Sequence, residues 1–130
     1  SSLAEYPSHH FVVVGVPHTV LEVSDVEKVD VENEGRRIRN LKAFEKGSNV
    51  NFIHQENGII VIRTYERGVE GETLSCGTGV MATALVLSKQ GSQQIFEFKT
   101  RGGRVGVEIE PNSITYTGQV RQVFKGEIIL

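Results

Sequence analysis

One cysteine, no clustered metal ligands, no long apolar run and almost no net charge mark this chain of 130 residues. Each scarcity removes a class of function. A single cysteine cannot close an internal disulfide, so this is no disulfide-stapled scaffold, and a reducing cytosol is the expected compartment. No apolar run approaches the roughly 18 residues of a membrane-spanning helix. The opening SSLAEYPSHH lacks the apolar centre of a signal peptide. His9-His10, His18 and His54 show no ligand spacing, which argues against a metal site. No Lys-Ser or Lys-Thr follows the Gly-Thr-Gly at Gly77 to Gly79, so the phosphate-loop pattern is absent. The net charge of −2 gives no general pull toward nucleic acid or an anionic membrane. There is no internal repeat and no low-complexity segment. The chain starts at Ser1 rather than at a methionine, so a piece of a longer protein is expected.

What is there is a strand-rich sequence with one strongly apolar helix. FVVVGVPHTVLEV, Phe11 to Val23, holds two short apolar runs around a Gly-Val-Pro-His break. Four apolar residues in a row suggest a strand covered on both faces, with Pro17 interrupting it. SDVEKVDVENEGRRIRN is charged and weakly periodic. Ser24 or Asp25 is placed to cap a helix, and Gly35-Arg36-Arg37 falls on a second short one, its basic cluster with Arg39 reading as a solvated face. NVNFIHQ reads as a strand, Glu56 to Gly58 as a hairpin turn, and IIVIRTYE as a buried strand. From Gly77 to Gln90 the residues are apolar nearly all round, the mark of a helix inside a fold, with Gly91 to stop it. IFEFK, VGVEIE, SITYTG and QVRQVFKGEIIL complete the strands. Val105, Val107 and Ile109 share one face, and Thr100 to Arg104 forms a glycine hairpin. The expected fold class is α/β (α+β): a mixed, mostly antiparallel, curved sheet wrapped around a central buried helix.

The only cysteine, Cys76, stands where a strand-to-helix turn ends and the helix begins. Unpaired N–H groups at a helix start carry partial positive charge. They favour a thiolate and bind carboxylate or phosphate, and glycines let such a ligand approach the backbone. Cys76-Gly77-Thr78-Gly79 can therefore hold an anionic substrate and present a base beside it. The blander alternative is a small, inert, packed thiol. A hydrolytic cysteine would need a histidine base, for which His18 and His54 are candidates. Glu66-Arg67 offers a carboxylate and a guanidinium fork to an amino acid, or is an ordinary surface pair at a strand end.

Taken together, YERGVEGETLSCGTGVMATAL, GVPH at Gly15 to His18, NVNF at Asn49 to Phe52, TRGGRVGVEIE and SITYTGQVRQVFKGEI resemble, in order, the C-terminal half of diaminopimelate epimerase. The resemblance covers about Phe11 to Leu130. It implies one half of a two-domain fold in which each domain wraps a sheet around a central helix, with residues 1–10 as an interdomain segment or remainder and 11–130 as the C-terminal domain. It also implies that the final strand packs against the other domain. The implied activity is cofactor-free interconversion of LL- and meso-2,6-diaminopimelate, a step of lysine and cell-wall precursor synthesis, by two cysteines that flank the α-carbon. Cys76 matches the cysteine of the C-terminal domain, and Glu66 and His18 match residues that assist the acid–base chemistry. Asn49, Glu66, Arg67, Gly77 and Thr78 match substrate contacts. The implied partners are the small-molecule substrate and an N-terminal domain carrying the second cysteine; a homodimer is compatible. Val16 departs from the Asn common at that place, which removes one polar substrate contact. A proline racemase-like or phenazine-pathway-type isomerase, or a non-catalytic domain of the same fold, are the alternatives.

Overall fold

The computed structural model describes residues 3–74 and 76–118, and the backbone of 122–127. Nine strands form one sheet: β1 (His9–Val14), β2 (Val16–Glu22), β3 (Asn49–Glu56), β4 (Ile59–Glu66), β5 (Gly71–Thr73), β6 (Ile95–Thr100), β7 (Gly103–Glu110), β8 (Ser113–Thr117) and β9 (Gln122–Glu127). The order is β1-β2-β3-β4-β6-β7-β8-β9, with β5 attached to β4. Two of the pairings, β2 with β3 and β4 with β6, are parallel and the rest antiparallel. Among the described residues, two helices, α1 (Val31–Arg39) and α2 (Gly77–Gln90), and a short 3₁₀ helix (Val26–Lys28) complete the elements. Residues 119–121 and 128–130 of the last sequence segment, and the side chains of β9, lie outside the described residues.

Local chemistry explains most of these elements. Between β3 and β4 the two turn residues Asn57 and Gly58 both have positive φ (54° and 80°), the conformation that two-residue hairpins demand and that Asn-Gly supplies. Asp25 and Asp30 each cap a helix start with a side-chain oxygen. In α1, Glu32 and Glu34 sit in the first turn and Arg36, Arg37 and Arg39 in the last, the charge order that complements the helix dipole. Arg37 pairs with Glu34 and Glu5, and Arg39 with Glu70, so this basic cluster is a solvated, ion-paired face.

The alternation of side chains along the strands divides the core in two. Val20, Ile53, Ile60 and Ile62 face α2 and pack with Val80, Met81, Ala84, Val86 and Leu87. Leu21, Val50, Phe52, Val61 and Tyr65 face the other way and pack with Val31 and Ile38 of α1. Helix α2 touches β1, β2 and β3 at one end of the sheet and β7 and β8 at the other, so the sheet curls around it. Each large apolar side chain buried on α2 contributes about 1.5–3 kcal/mol relative to exposure. Its buried Thr83 and Ser88 hydroxyls donate back to the carbonyls of Gly79 and Leu85, both at 2.8 Å, so the apolar helix carries no unsatisfied hydroxyl there.

Two readings of the sequence need correction. The apolar run of β1 is not covered on both faces: Phe11 and Val13 are 52% and 61% exposed, because β1 ends the sheet order with α2 packed on one face, while on the other Phe11 stacks on Phe44. Pro17 does not interrupt a strand but lies inside β2, opposite Val13. It is tolerated because pairing with β3 begins only at His18, so the missing N–H costs no ladder bond on that side. Gly91 stops α2 as expected, in an extended conformation (φ −157°, ψ −157°) where the left-handed one is usual for a terminating glycine. Residues ahead of Phe11 also contact the domain. Strand β1 starts at His9, the Tyr6 hydroxyl donates to Glu34, and Leu3 packs beside the α1 core.

Candidate active site

Strand β4 has one edge shared by two neighbours. Its start pairs with β6 at Ile60 and Val61, and its end pairs with β5 at Thr64 to Glu66. Strand β5 thus returns the chain along the end of β4 and delivers it to Cys76, the N-cap of α2. Cys76 is extended (φ −126°, ψ 105°), makes no side-chain capping bond and is 9% exposed. A cysteine in this place keeps its sulfur free for other work, whereas Ser or Asp would turn inward to cap.

Facing that helix start are side chains from three adjacent strands. In β2:β3:β4 the register sets His18 opposite Asn49, Val20 opposite Asn51, and Asn51 opposite Thr64. Because alternate residues share a face, His18, Asn49, Asn51, Thr64 and Glu66 all belong to the α2 side. The Asn51 amide donates to the Thr19 carbonyl at 3.2 Å and lies 3.1 Å from His18 Nδ1, while Thr64 Oγ1 donates to Asn51 Oδ1 at 2.8 Å. On the other side of the imidazole, His18 Nε2 is 3.0 Å from Thr78 Oγ1, and Thr78 Oγ1 is 3.5 Å from Cys76 Sγ. A continuous chain of neutral polar groups therefore joins Thr64 to Cys76. His18 is fully buried, and loss of hydration pushes its pKa down to about 4, so the imidazole is neutral at pH 7.

The two glycines of Gly77-Thr78-Gly79 do different things. A Cβ on Gly79 would fall 2.4 Å from Asn51 Oδ1, whereas one on Gly77 would meet nothing within 4 Å. Gly79 makes room for Asn51 beneath the helix; Gly77 is exposed and leaves the outer side of the helix start open. The sequence suggested ligand access for both.

Of the expected site residues, Cys76, Thr78 and His18 come together directly. Asn49 is 4% exposed, and its Oδ1 accepts from the Arg67 backbone N–H at 2.7 Å, which ties the start of β3 to the end of β4. The Arg67 guanidinium donates to the Lys46 carbonyl, so part of the expected fork is already used to hold a neighbouring loop. Glu66 ends β4, half-buried, on the same face as His18. His54, a candidate base, is not at the site: it alternates to the α1 side of β3, where its Nδ1 accepts from the Val26 N–H at 3.0 Å. Asn51 and Thr64 were not singled out from the sequence, and Gly79 was read there for ligand access rather than for packing on Asn51. Asn51 had a legible signal, since it stands two residues after Asn49 on one strand and so on one face. Thr64 carried none without the register.

Elsewhere, a groove of about 940 Å³ is lined by Leu3, His9, Phe11, Leu41 and Phe44 among others and contains none of these residues. Among the described residues no group of three or more His, Cys, Asp or Glu side chains could hold a metal ion, and no helix is long and apolar enough to cross a membrane.

Comparison with known proteins shows the family and the fold. The family model for diaminopimelate epimerase matches residues 10–123. The diaminopimelate epimerase of Methanocella arvoryzae is 44% identical over 116 residues, covering 88% of this chain and 41% of the relative. That of Aquifex aeolicus is 43% identical over 125 residues, covering 91% and 45%. The chain thus spans less than half the length of either relative. Among solved structures, a phenazine biosynthesis protein of the PhzF family from Enterococcus faecalis superposes with a TM-score of 0.60 at 19% identity, covering 76% of this chain and 36% of that one. That likeness establishes the shared fold.

Proposed function

The chain belongs to the diaminopimelate epimerase family, and from that premise we propose that it supplies one half of a two-cysteine amino-acid epimerase. The observation that carries the proposal is Cys76 at the start of α2, its sulfur beside Thr78 and, through Thr78, beside His18. The reaction is exchange of configuration at one α-carbon of 2,6-diaminopimelate. A thiolate takes the α-proton from one face while a thiol returns a proton to the other, so no redox change and no net proton consumption occur. Cys76 is one of these two groups; the other comes from a second half that the relatives' greater length provides. The substrate α-carboxylate binds at the N–H groups of Gly77 and Thr78, where the open side of Gly77 gives access and the helix start supplies partial positive charge. Asn49, whose oxygen is committed to Arg67, has its amide donors left for substrate. Glu66 and Arg67 stand at the same strand end as the remaining polar contacts, and Glu66 assists proton transfer at the substrate.

Two-base chemistry needs groups on opposite faces of the carbon, so this chain by itself is expected to be inactive. The deciding experiment places LL-diaminopimelate in deuterium oxide with three samples. They are the chain alone, the chain joined to the N-terminal half of a diaminopimelate epimerase, and the joined protein carrying Cys76→Ala. Exchange of the α-hydrogen should appear only in the second. Exchange that persists at full rate in the Cys76→Ala protein, with its fold checked by circular dichroism, removes Cys76 from the mechanism. A preference for proline or hydroxyproline would move the substrate class to another isomerase of this fold. The phenazine-type neighbour offers no support for that move, since at 19% identity it speaks to the fold alone.

A further inference from the structure

The hydrogen bonds around His18 have a direction, and one backbone carbonyl sets it. The Thr19 carbonyl can only accept, so the Asn51 atom 3.2 Å from it is the amide nitrogen, and Oδ1 is turned to the Thr64 hydroxyl. That same nitrogen lies 3.1 Å from His18 Nδ1. An N–H facing it requires Nδ1 to be bare, because two donors cannot share that gap. A neutral imidazole with a bare Nδ1 carries its proton on Nε2. Nε2 then donates to Thr78 Oγ1 at 3.0 Å, and the Thr78 hydroxyl proton is left for Cys76 Sγ at 3.5 Å. Flipping the Asn51 amide would set oxygen against oxygen at Thr19.

We propose that Asn51 is a positioning residue which locks His18 in its Nε2–H tautomer, so that four donors in series, Thr64, Asn51, His18 and Thr78, all point toward Cys76. Gly79 is part of the same device, since any side chain there would displace the Asn51 oxygen. One consequence concerns His18. Its Nε2 is already protonated, so it cannot take the thiol proton through Thr78. It acts as a donor that polarises the Thr78 hydroxyl and so favours the thiolate. The low His18 pKa, about 4 through burial, keeps the imidazole in this neutral state. The link to catalysis rests on the epimerase reading above; the direction of the bonds does not.

The test needs no substrate, so its failure and that of the epimerase reading are separable. In the ¹⁵N-labelled chain, long-range ¹H–¹⁵N spectra between pH 6 and 8 should show His18 as the Nε2–H tautomer throughout. An Nδ1–H tautomer, or an imidazolium at pH 7, overturns the proposal. Asn51→Leu keeps the volume and removes the donor, and should release His18 into a mixture of tautomers; an unchanged tautomer overturns the lock. If that variant does not fold, the wild-type spectrum and the Thr78 variants still decide. Thr78→Val should slow iodoacetamide alkylation of Cys76 at pH 7 by about threefold. Loss of a donor lowers the thiolate fraction more than it raises the reactivity of each thiolate. Thr78→Ser should keep the wild-type rate. Equal rates for valine and serine would show that Thr78 donates nothing to Cys76.

Discussion

The two faces of the sheet handle polar side chains in opposite ways. On the α1 face several are charged and cancel in pairs. Arg63 meets Glu72 at 2.6 Å and also donates to the carbonyls of Val26 and Val29, while Arg39 meets Glu70 at 2.9 Å. On the α2 face the chain from Thr64 to Thr78 is neutral, ordered by donor and acceptor, and ends on the thiol. The difference teaches that the first face uses its polar groups to hold elements together. The second spends burial on orientation at one atom. Ion pairs there would be costly to desolvate and would set a fixed charge beside a group whose proposed work is to gain and lose a proton.

The largest effect should come from breaking the α1 face where it is closest. A Cβ on Gly35 would lie 2.4 Å from Tyr65 Cβ and 2.5 Å from its Cγ, atoms next to the backbone of a central strand. Gly35→Ala should therefore cost at the top of, or above, the roughly 1–3 kcal/mol usual for overpacking. Gly79→Ala makes an equally close contact, but with the end of the Asn51 side chain, and should cost less. Urea unfolding of the two variants checks the order. Next, Arg63→Met keeps the aliphatic stem but leaves Glu72, 19% exposed, without this partner. A loss of about 3 kcal/mol is expected, with Glu72→Gln losing less because Arg63 keeps its bonds to the Val26 and Val29 carbonyls and the Gln oxygen can still accept from it.

A pH measurement probes the α2 face. His18 has a native pKa of about 4 against about 6.5 in the unfolded chain. Above pH 6.5 neither state is protonated there and the group contributes nothing to the pH dependence. Between 6.5 and 4 the unfolded chain binds a proton that the native state refuses, so stability falls as the solution is acidified. Below 4 the penalty is constant. From pH 7.5 to 5 the loss should be about 2 kcal/mol. His18→Gln, which can still donate toward Thr78, should flatten that part of the curve, and an unaltered slope would mean that the imidazole titrates normally in the fold.

Much of this contrast was legible in the residues. The buried α2 follows from an apolar sequence with almost no polar face. The β3–β4 hairpin follows from Asn57-Gly58, and the place of Cys76 at a helix start from the glycines that follow it. What the sequence could not show depends on register. β5 is three residues long, Gly71–Thr73, too short for any period to emerge. The Thr64–Asn51 contact exists because those residues are opposite across β3 and β4. As a base for a cysteine, His54 looked as eligible as His18 from the residues alone, and strand alternation puts the two on different faces. Pro17 looked like a break because its neighbour on the β3 side is a matter of pairing, not of composition.

Gly77 and Gly79 sharpen the comparison with the smallest change in stability. Both stand in one Gly-Thr-Gly, yet only Gly79 is packed. Gly77 is exposed at the first turn of α2 with open space where a side chain would go, so Ala should fold there without strain and shift stability by no more than about 0.5 kcal/mol. If its openness serves the approach of a carboxylate to the helix start, the added methyl occupies the path of the ligand. In the joined two-half protein Gly77→Ala should then raise KM for diaminopimelate about tenfold, equivalent to about 1.4 kcal/mol, with the unfolding midpoint almost unmoved. An unchanged KM would place the anion elsewhere, and Gly77 would be a helix residue without a role in binding. A fall in stability comparable to that of Gly79→Ala would mean that the space beside Gly77 is not open. The pair thus separates a glycine kept for packing from one kept for access, within three residues of the same turn.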